Sequence, residues 1–300
     1  MKKVIAALIA VLLLAYCAPG TVTEHTAPVS AGAEGSFVSD PVSDTSSSPA
    51  TETKENPNMG KSGLKRDSVV VFTGDSILDD WRNDRNDPTS LGKADGPAYM
   101  FSLYLNENYP DDNITVYNTA YTGYTVQMLY QKYEQYITDL NPDYIVMYIG
   151  TNNAWHDSRD MELVEKDFNT LLDAVCAKTN AEVILMEPFL FESDMNFTAG
   201  VPLNTYVGRM AEISDMVCRT GAERGFPVIY CRELFRIAME KYGYKYTREL
   251  TSDGIHPRKT GYRILFDALM AEMKINGYQP KYKIDVDSYR SKYLNRGDAS

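Results

Sequence analysis

Hydrophobic positions along the chain fall into two recurring patterns. Short continuous runs, rich in β-branched and aromatic residues, occur at 68–72, 114–117, 144–149, 182–186 and 227–230. Runs of that length without polar alternation predict strands buried on both faces of a sheet. Between and after them, apolar residues recur at helical spacing over 98–106, 126–136, 161–177, 206–224 and 259–273. Strands alternating with helices imply right-handed crossovers, hence a parallel sheet covered on both faces. The predicted class is therefore α/β: a three-layer α/β/α sandwich around a five-stranded parallel sheet, in one domain over 67–276.

The flanks have a different character. Lys2 and Lys3 precede an uninterrupted apolar run over 4–15, too short for the ~20 apolar residues that span a bilayer but suited to a signal peptide. The run ends at Leu14-Ala15-Tyr16-Cys17, which resembles a bacterial lipobox with Cys17 as the lipidated residue, although Tyr16 stands where that motif prefers a small residue. An ordinary cleaved signal peptide is the alternative, and either makes residues 1–17 an export signal. Residues 18–66 are rich in Ser, Thr, Pro, Gly and acidic side chains, with few large apolar ones, and predict a disordered stalk. The tail over 277–300 mixes Tyr, Lys and Asp without clear periodicity, so the sequence leaves open whether it packs on the domain.

Charge narrows the partners. A formal net charge of -11 over 300 residues argues against nucleic acid and anionic lipid headgroups, which require basic patches, and is compatible with neutral sugars and esters. Membrane contact is then expected only through the N-terminal lipid. Besides Cys17, the cysteines are Cys176, Cys218 and Cys231. Cys176 and Cys218 lie in helical apolar patterns and read as small buried hydrophobes. No CxxC or HExxH spacing points to zinc, and the chemistry considered below calls for no cofactor.

Candidate chemistry lies at predicted strand ends, where parallel sheets bind ligands. Gly74-Asp75-Ser76 follows the first strand; a polar turn accounts for it as well as a nucleophile does. Asn118 to Gly123 follows the second strand, and Gly150-Thr151-Asn152-Asn153 the third. A glycine N–H and an Asn amide there could donate to an oxyanion, although each also serves ordinary turns. The chain has three histidines: His25 in the stalk, His156, and His256 within Asp253-Gly254-Ile255-His256 before the last helix. Asp253 is close enough in sequence to orient the His256 imidazole as a base for Ser76.

Taken in order, these four blocks resemble those of the SGNH, or GDSL-type, hydrolase family over roughly 69–269. The resemblance implies the flavodoxin-like SGNH fold, Ser76 as nucleophile, His256 as base and then acid, and Asp253 as its partner. It also implies an oxyanion hole from the N–H groups of Ser76 and Gly123 and the Asn152 amide. Asn153 stands where the family often has Asp, and Leu78 where Thr is frequent. The stretches Gly150 to Trp155 and Ile184 to Phe189 look like the branch with bacterial acetylxylan esterases. The implied function is a serine esterase removing small acyl groups, chiefly acetate, from carbohydrate. Trp81, Tyr121, Tyr124 and Trp155 could stack on sugar rings, and His156 could line the pocket; plain packing or a surface position explains each equally well. Alternatives of the same fold are a lysophospholipase or acyl thioesterase and a peptidoglycan O-acetylesterase. A surface carbohydrate-binding module is the non-enzymatic alternative.

Overall fold

The computed structural model describes residues 57–156, 160–191, 201–245 and 249–294, with His156 described in its backbone only. The export signal, Cys17, His25 and most of the expected stalk lie outside the described residues.

Five strands form one parallel sheet: β1 (Val69–Gly74), β2 (Thr115–Asn118), β3 (Tyr144–Tyr148), β4 (Glu182–Met186) and β5 (Val228–Ile229). Their order is β2-β1-β3-β4-β5. The central strands are buried along their length, with Val70, Val71, Phe72, Ile145 and Val146 fully enclosed. This is why their sequences are continuously rather than alternately apolar. The connection from β1 to β2 runs in one direction and the later ones in the other, so right-handed crossovers put their helices on opposite faces. Helix α2 (Pro97–Asn108) packs with α9 (Lys259–Glu272), while α3 (Val126–Tyr130), α6 (Met161–Lys178) and α7 (Leu203–Arg224) pack together. The chain reverses direction across the sheet between β1 and β3, so the crevice at their carboxyl ends is the expected ligand site.

Several expectations need correction. The helix predicted over 126–136 breaks at Gln131 and Lys132 into α3 and α4 (Tyr133–Tyr136). Among the described residues four further α-helices form: α1 (Ser76–Asp79), α5 (Thr151–His156), α8 (Cys231–Tyr242) and α10 (Asp287–Leu294). The fold also begins before residue 67. The Asp112 carboxylate accepts from the Lys61 and Ser62 N–H groups at 2.9 and 2.7 Å, Met59 bridges Lys65, and Leu64 is buried. At the other end Tyr282 and Tyr293 are buried, and the Tyr282 N–H donates to Asp267 at 2.7 Å, so residues 277–294 belong to the domain. Cys218 and Cys231 are buried, but Cys176 is exposed. The buried stripe of α6 runs through Val164, Phe168, Leu171, Leu172 and Val175, and Cys176 falls just off it.

Candidate active site

The site is assembled where β1 and β3 end side by side. Gly74 has φ +137, and a Cβ there would lie 1.8 Å from the Tyr148 carbonyl oxygen, so only glycine allows this approach. The chain then turns sharply: Asp75 donates its N–H to that carbonyl at 3.1 Å. Its side chain caps α1 by accepting from the Ile77 N–H at 3.1 Å. Ser76 is thereby fixed as the first residue of α1.

Ser76 Oγ lies 3.0 Å from His256 Nε2, and His256 Nδ1 lies 2.7 Å from Asp253 Oδ2. The other Asp253 oxygen accepts from the Ile255 and His256 N–H groups at 3.0 and 2.8 Å. Gly254 turns the chain at φ +93, and the Ser252 N–H closes the turn onto the His256 carbonyl at 2.8 Å. The segment thus orients its own histidine. Burial works against the charged form of His256, but the hydrogen bond and charge of Asp253, with the charge of Asp75, outweigh it and hold its pKa above the ordinary 6.5. Burial likewise opposes ionisation of Asp253, yet its bonds to His256 keep it below the usual carboxylate range. Asp75 differs. Burial pushes its carboxyl up to about 7, against the opposing pull of the Ile77 N–H, the His256 charge and Thr151.

Two neighbouring loops carry the remaining candidates. The loop after β2 is pinned to β1 by the Thr119 N–H on the Phe72 carbonyl (2.8 Å) and the Tyr121 N–H on the Gly74 carbonyl (2.9 Å). Gly123 follows with φ +86. The Asn152 amide donates to the Tyr124 carbonyl at 3.0 Å, which sets it beside the Gly123 turn and leaves a second amide proton available. Asn153 accepts from the Val126 N–H at 3.0 Å and donates to Gln127 at 2.8 Å. An ionised Asp could make only the first of these bonds, which gives the departure from the family pattern a physical reason.

Sequence reasoning missed a buried ion cluster beside these loops. Asp79 is fully enclosed and Arg82 is nearly so. Asp79 accepts from Arg82 Nε at 3.3 Å, Arg85 Nε at 2.8 Å and the Thr122 N–H at 3.1 Å, as well as from the Thr122 hydroxyl. The Arg82 guanidinium also donates to the carbonyls of Asn118 and, at 2.8 Å, Ala120. The segment after Ser76 is thus clamped to the one that precedes Gly123. A dense run of charges directly after Ser76 was the available signal.

The aromatic candidates separate. Trp155 packs edge-on against Tyr206 at 5.4 Å, and Tyr124 stacks between Tyr121 and Tyr136 at 4.6 and 6.1 Å. Trp81 is exposed and lines a 510 Å³ groove together with His256. The His156 side chain lies outside the described residues.

A hydrogen-bonded serine, imidazole and carboxylate flanked by amide donors can perform acyl transfer through a covalent intermediate. A family model described as the GDSL-like lipase/acylhydrolase family matches residues 72–264. An acetylxylan esterase of Geobacillus stearothermophilus is 24% identical over 214 residues, covering 68% of this chain and 93% of the relative. The crystal structure of Axe2, an acetylxylan esterase from that organism, has a TM-score of 0.57 at 22% identity, covering 76% of this chain and 100% of the other. LAE5, an alpha/beta hydrolase enzyme from the metagenome of Lake Arreo, has a TM-score of 0.58 at 22% identity, covering 70% and 96% respectively.

Proposed function

Because this chain belongs to the GDSL-like lipase/acylhydrolase family, we propose that it is a serine esterase that removes small acyl groups, acetate foremost, from carbohydrate. The observation that carries the reading is the continuous hydrogen-bonded series from Ser76 Oγ through His256 to Asp253, at 3.0 and 2.7 Å. The similarity to an acetylxylan esterase supports the choice of acyl group and alcohol.

In this reading Ser76 Oγ attacks the ester carbonyl while His256 Nε2 takes its proton. Asp253 fixes the tautomer and stabilises the imidazolium. The N–H groups of Ser76 and Gly123 and the free Asn152 amide proton receive the oxyanion. His256 then returns the proton to the departing alcohol. Water repeats the sequence on the acyl-serine and releases the acid. The basic, apolar and Cys-containing pattern of residues 2–17 supports export and anchoring through lipidated Cys17.

The test is p-nitrophenyl acetate hydrolysis by the wild type beside Ser76→Ala. The substitution is expected to lower kcat by about 10⁴-fold or more while leaving the fold intact. A variant that retains wild-type turnover would remove Ser76 as nucleophile and the reading with it.

A further inference from the structure

His256 and Trp81 line the same groove, and the backbone at Trp81 is unusual. Asp80 and Trp81 are consecutive non-glycine residues at φ 41 and 57, a left-handed conformation that side chains with a Cβ rarely adopt. Burial of the neighbours enforces it. The Asp80 carboxylate is packed against the backbone of Gly96, where a Cβ would meet it at 2.2 Å, and it accepts from the Lys93 N–H at 3.1 Å. Arg82 is anchored in the ion cluster on the other side. Trp81 projects outward, 68% exposed, with the Lys93 ammonium over its ring at 5.2 Å. Scattered exposed aromatics are ordinary; one held out on strained backbone beside a reactive histidine is not.

Reaction geometry gives the groove a direction. His256 must deliver its proton to the oxygen of the departing alcohol, so the alcohol, not the acyl group, lies on the His256 side of the serine. The groove lining suits a hydroxyl-rich occupant. Among the described residues it includes Lys93, Asp95, Glu249, Ser252, Lys259 and Thr260, and Pro257 supplies the only aliphatic side chain there. Among the described residues the lining mixes both signs of charge, with Lys93, Arg258 and Lys259 beside Asp95 and Glu249, and Lys259 pairs with Asp95 at 3.5 Å. Mixed and paired charges of this kind suit a neutral, hydroxyl-rich ring. A volume of 510 Å³ lies within the ~300–1,000 Å³ of small-molecule sites.

Resting on the esterase reading, we propose that this groove binds the saccharide on the leaving-alcohol side of the scissile ester, with Trp81 as the stacking platform for a neutral sugar ring beyond the acylated one. Substrate recognition therefore extends over an oligosaccharide, and the strain at Asp80 and Trp81 is what presents the platform.

The experiment compares acetylated xylotriose, acetylated xylose and p-nitrophenyl acetate as substrates of the wild type, Trp81→Ala and Trp81→Phe. Trp81→Ala is expected to raise KM for the trisaccharide about tenfold, a loss several times larger than on the aryl ester, and Trp81→Phe to recover most of it. In parallel, xylotriose is titrated into the Ser76→Ala protein with tryptophan fluorescence as the readout. The chain has two tryptophans, so a change that Trp81→Ala abolishes reports the platform. Equal losses on all three substrates, or a wild type that does not distinguish trisaccharide from monosaccharide, would overturn the groove assignment while leaving the esterase standing. Failure of the esterase reading is recognised separately, by wild-type protein that releases no acetate from the aryl ester.

Discussion

Two buried carboxylates stand near the carboxyl edge of the sheet, and they are satisfied in opposite ways. Asp79, next to the Ser76 turn, meets two guanidinium groups and the Thr122 N–H and hydroxyl. Burial opposes its charge, but the bonds from Arg85 and Thr122 win, and its pKa is lowered. Glu187, after β4, accepts from the Ser214 hydroxyl at 2.5 Å, the Arg232 N–H at 3.1 Å and the Tyr289 hydroxyl at 3.2 Å. Those three donors are neutral, the Arg232 guanidinium acts only from beyond Ser214, burial prevails, and the pKa of Glu187 is raised. The first is an ion cluster binding together the loops that hold the candidate catalytic groups. The second is a polar knot joining α7, α8 and α10 to the sheet. Both side chains are closed to solvent; what differs is that guanidinium groups bond Asp79 directly and none bonds Glu187.

The comparison is broken most sharply at Asp79. Asp79→Asn removes the anion while Arg82 stays enclosed, and an unpaired buried charge costs about 3–5 kcal/mol. Urea unfolding should record that loss. Esterase activity per folded molecule should also fall by about tenfold or more, because Thr122 loses its anion and Arg82, which holds the carbonyls before Gly123, loses the partner that positions it. Unchanged activity in the folded variant would make the cluster a stability device only. Glu187→Gln should be milder. Its neutral amide retains an acceptor for Ser214 and Tyr289, so about 1 kcal/mol is expected, with activity within about twofold. A Glu187→Gln loss as large as that of Asp79→Asn would erase the distinction.

The same contrast shows what the sequence could convey. Strands β1, β3 and β4 are legible because burial on both faces leaves continuous apolar runs. Asp253 and His256 are legible because three residues and a glycine close one turn. Asp79 and Arg82 are not, since charged side chains read as solvated until a structure brings their partners from residues 118 to 122. Residues 58–66 are hidden for a related reason: their polar backbone is held by partners far along the chain, above all the Asp112 carboxylate, with Tyr144 and Asn276. Helix α8 is a different omission. Cys231, Leu234, Phe235 and Ala238 form a helical stripe, but charged neighbours interrupt it and it follows β5 without a loop. The exposure of Cys176 turns on one step around α6, finer than an apolar pattern resolves.

A third carboxylate, Asp75, has its pKa raised like that of Glu187 but faces the charge of His256, and it gives the smallest effect. It is fully buried, pushed up to about 7 by that burial, and close enough for its charge to stabilise protonated His256. The acid limb of kcat/KM reports loss of the neutral imidazole in the free enzyme, so activity should rise with pH through the raised His256 pKa, above 6.5. Asp75→Asn removes a negative charge that favours the imidazolium. The His256 pKa should fall, and the limb should move to lower pH by less than about one unit. The Asp75 and His256 charges interact, so the wild-type limb should be broader than a single ionisation and should sharpen in the variant. The Asn side chain can still accept from the Ile77 N–H, so α1 keeps its cap and the Ser76 geometry is preserved. A pH–rate profile of both proteins decides it. An unmoved limb would mean that the Asp75 charge does not reach the imidazole, and an upward shift would reverse the sign of the coupling.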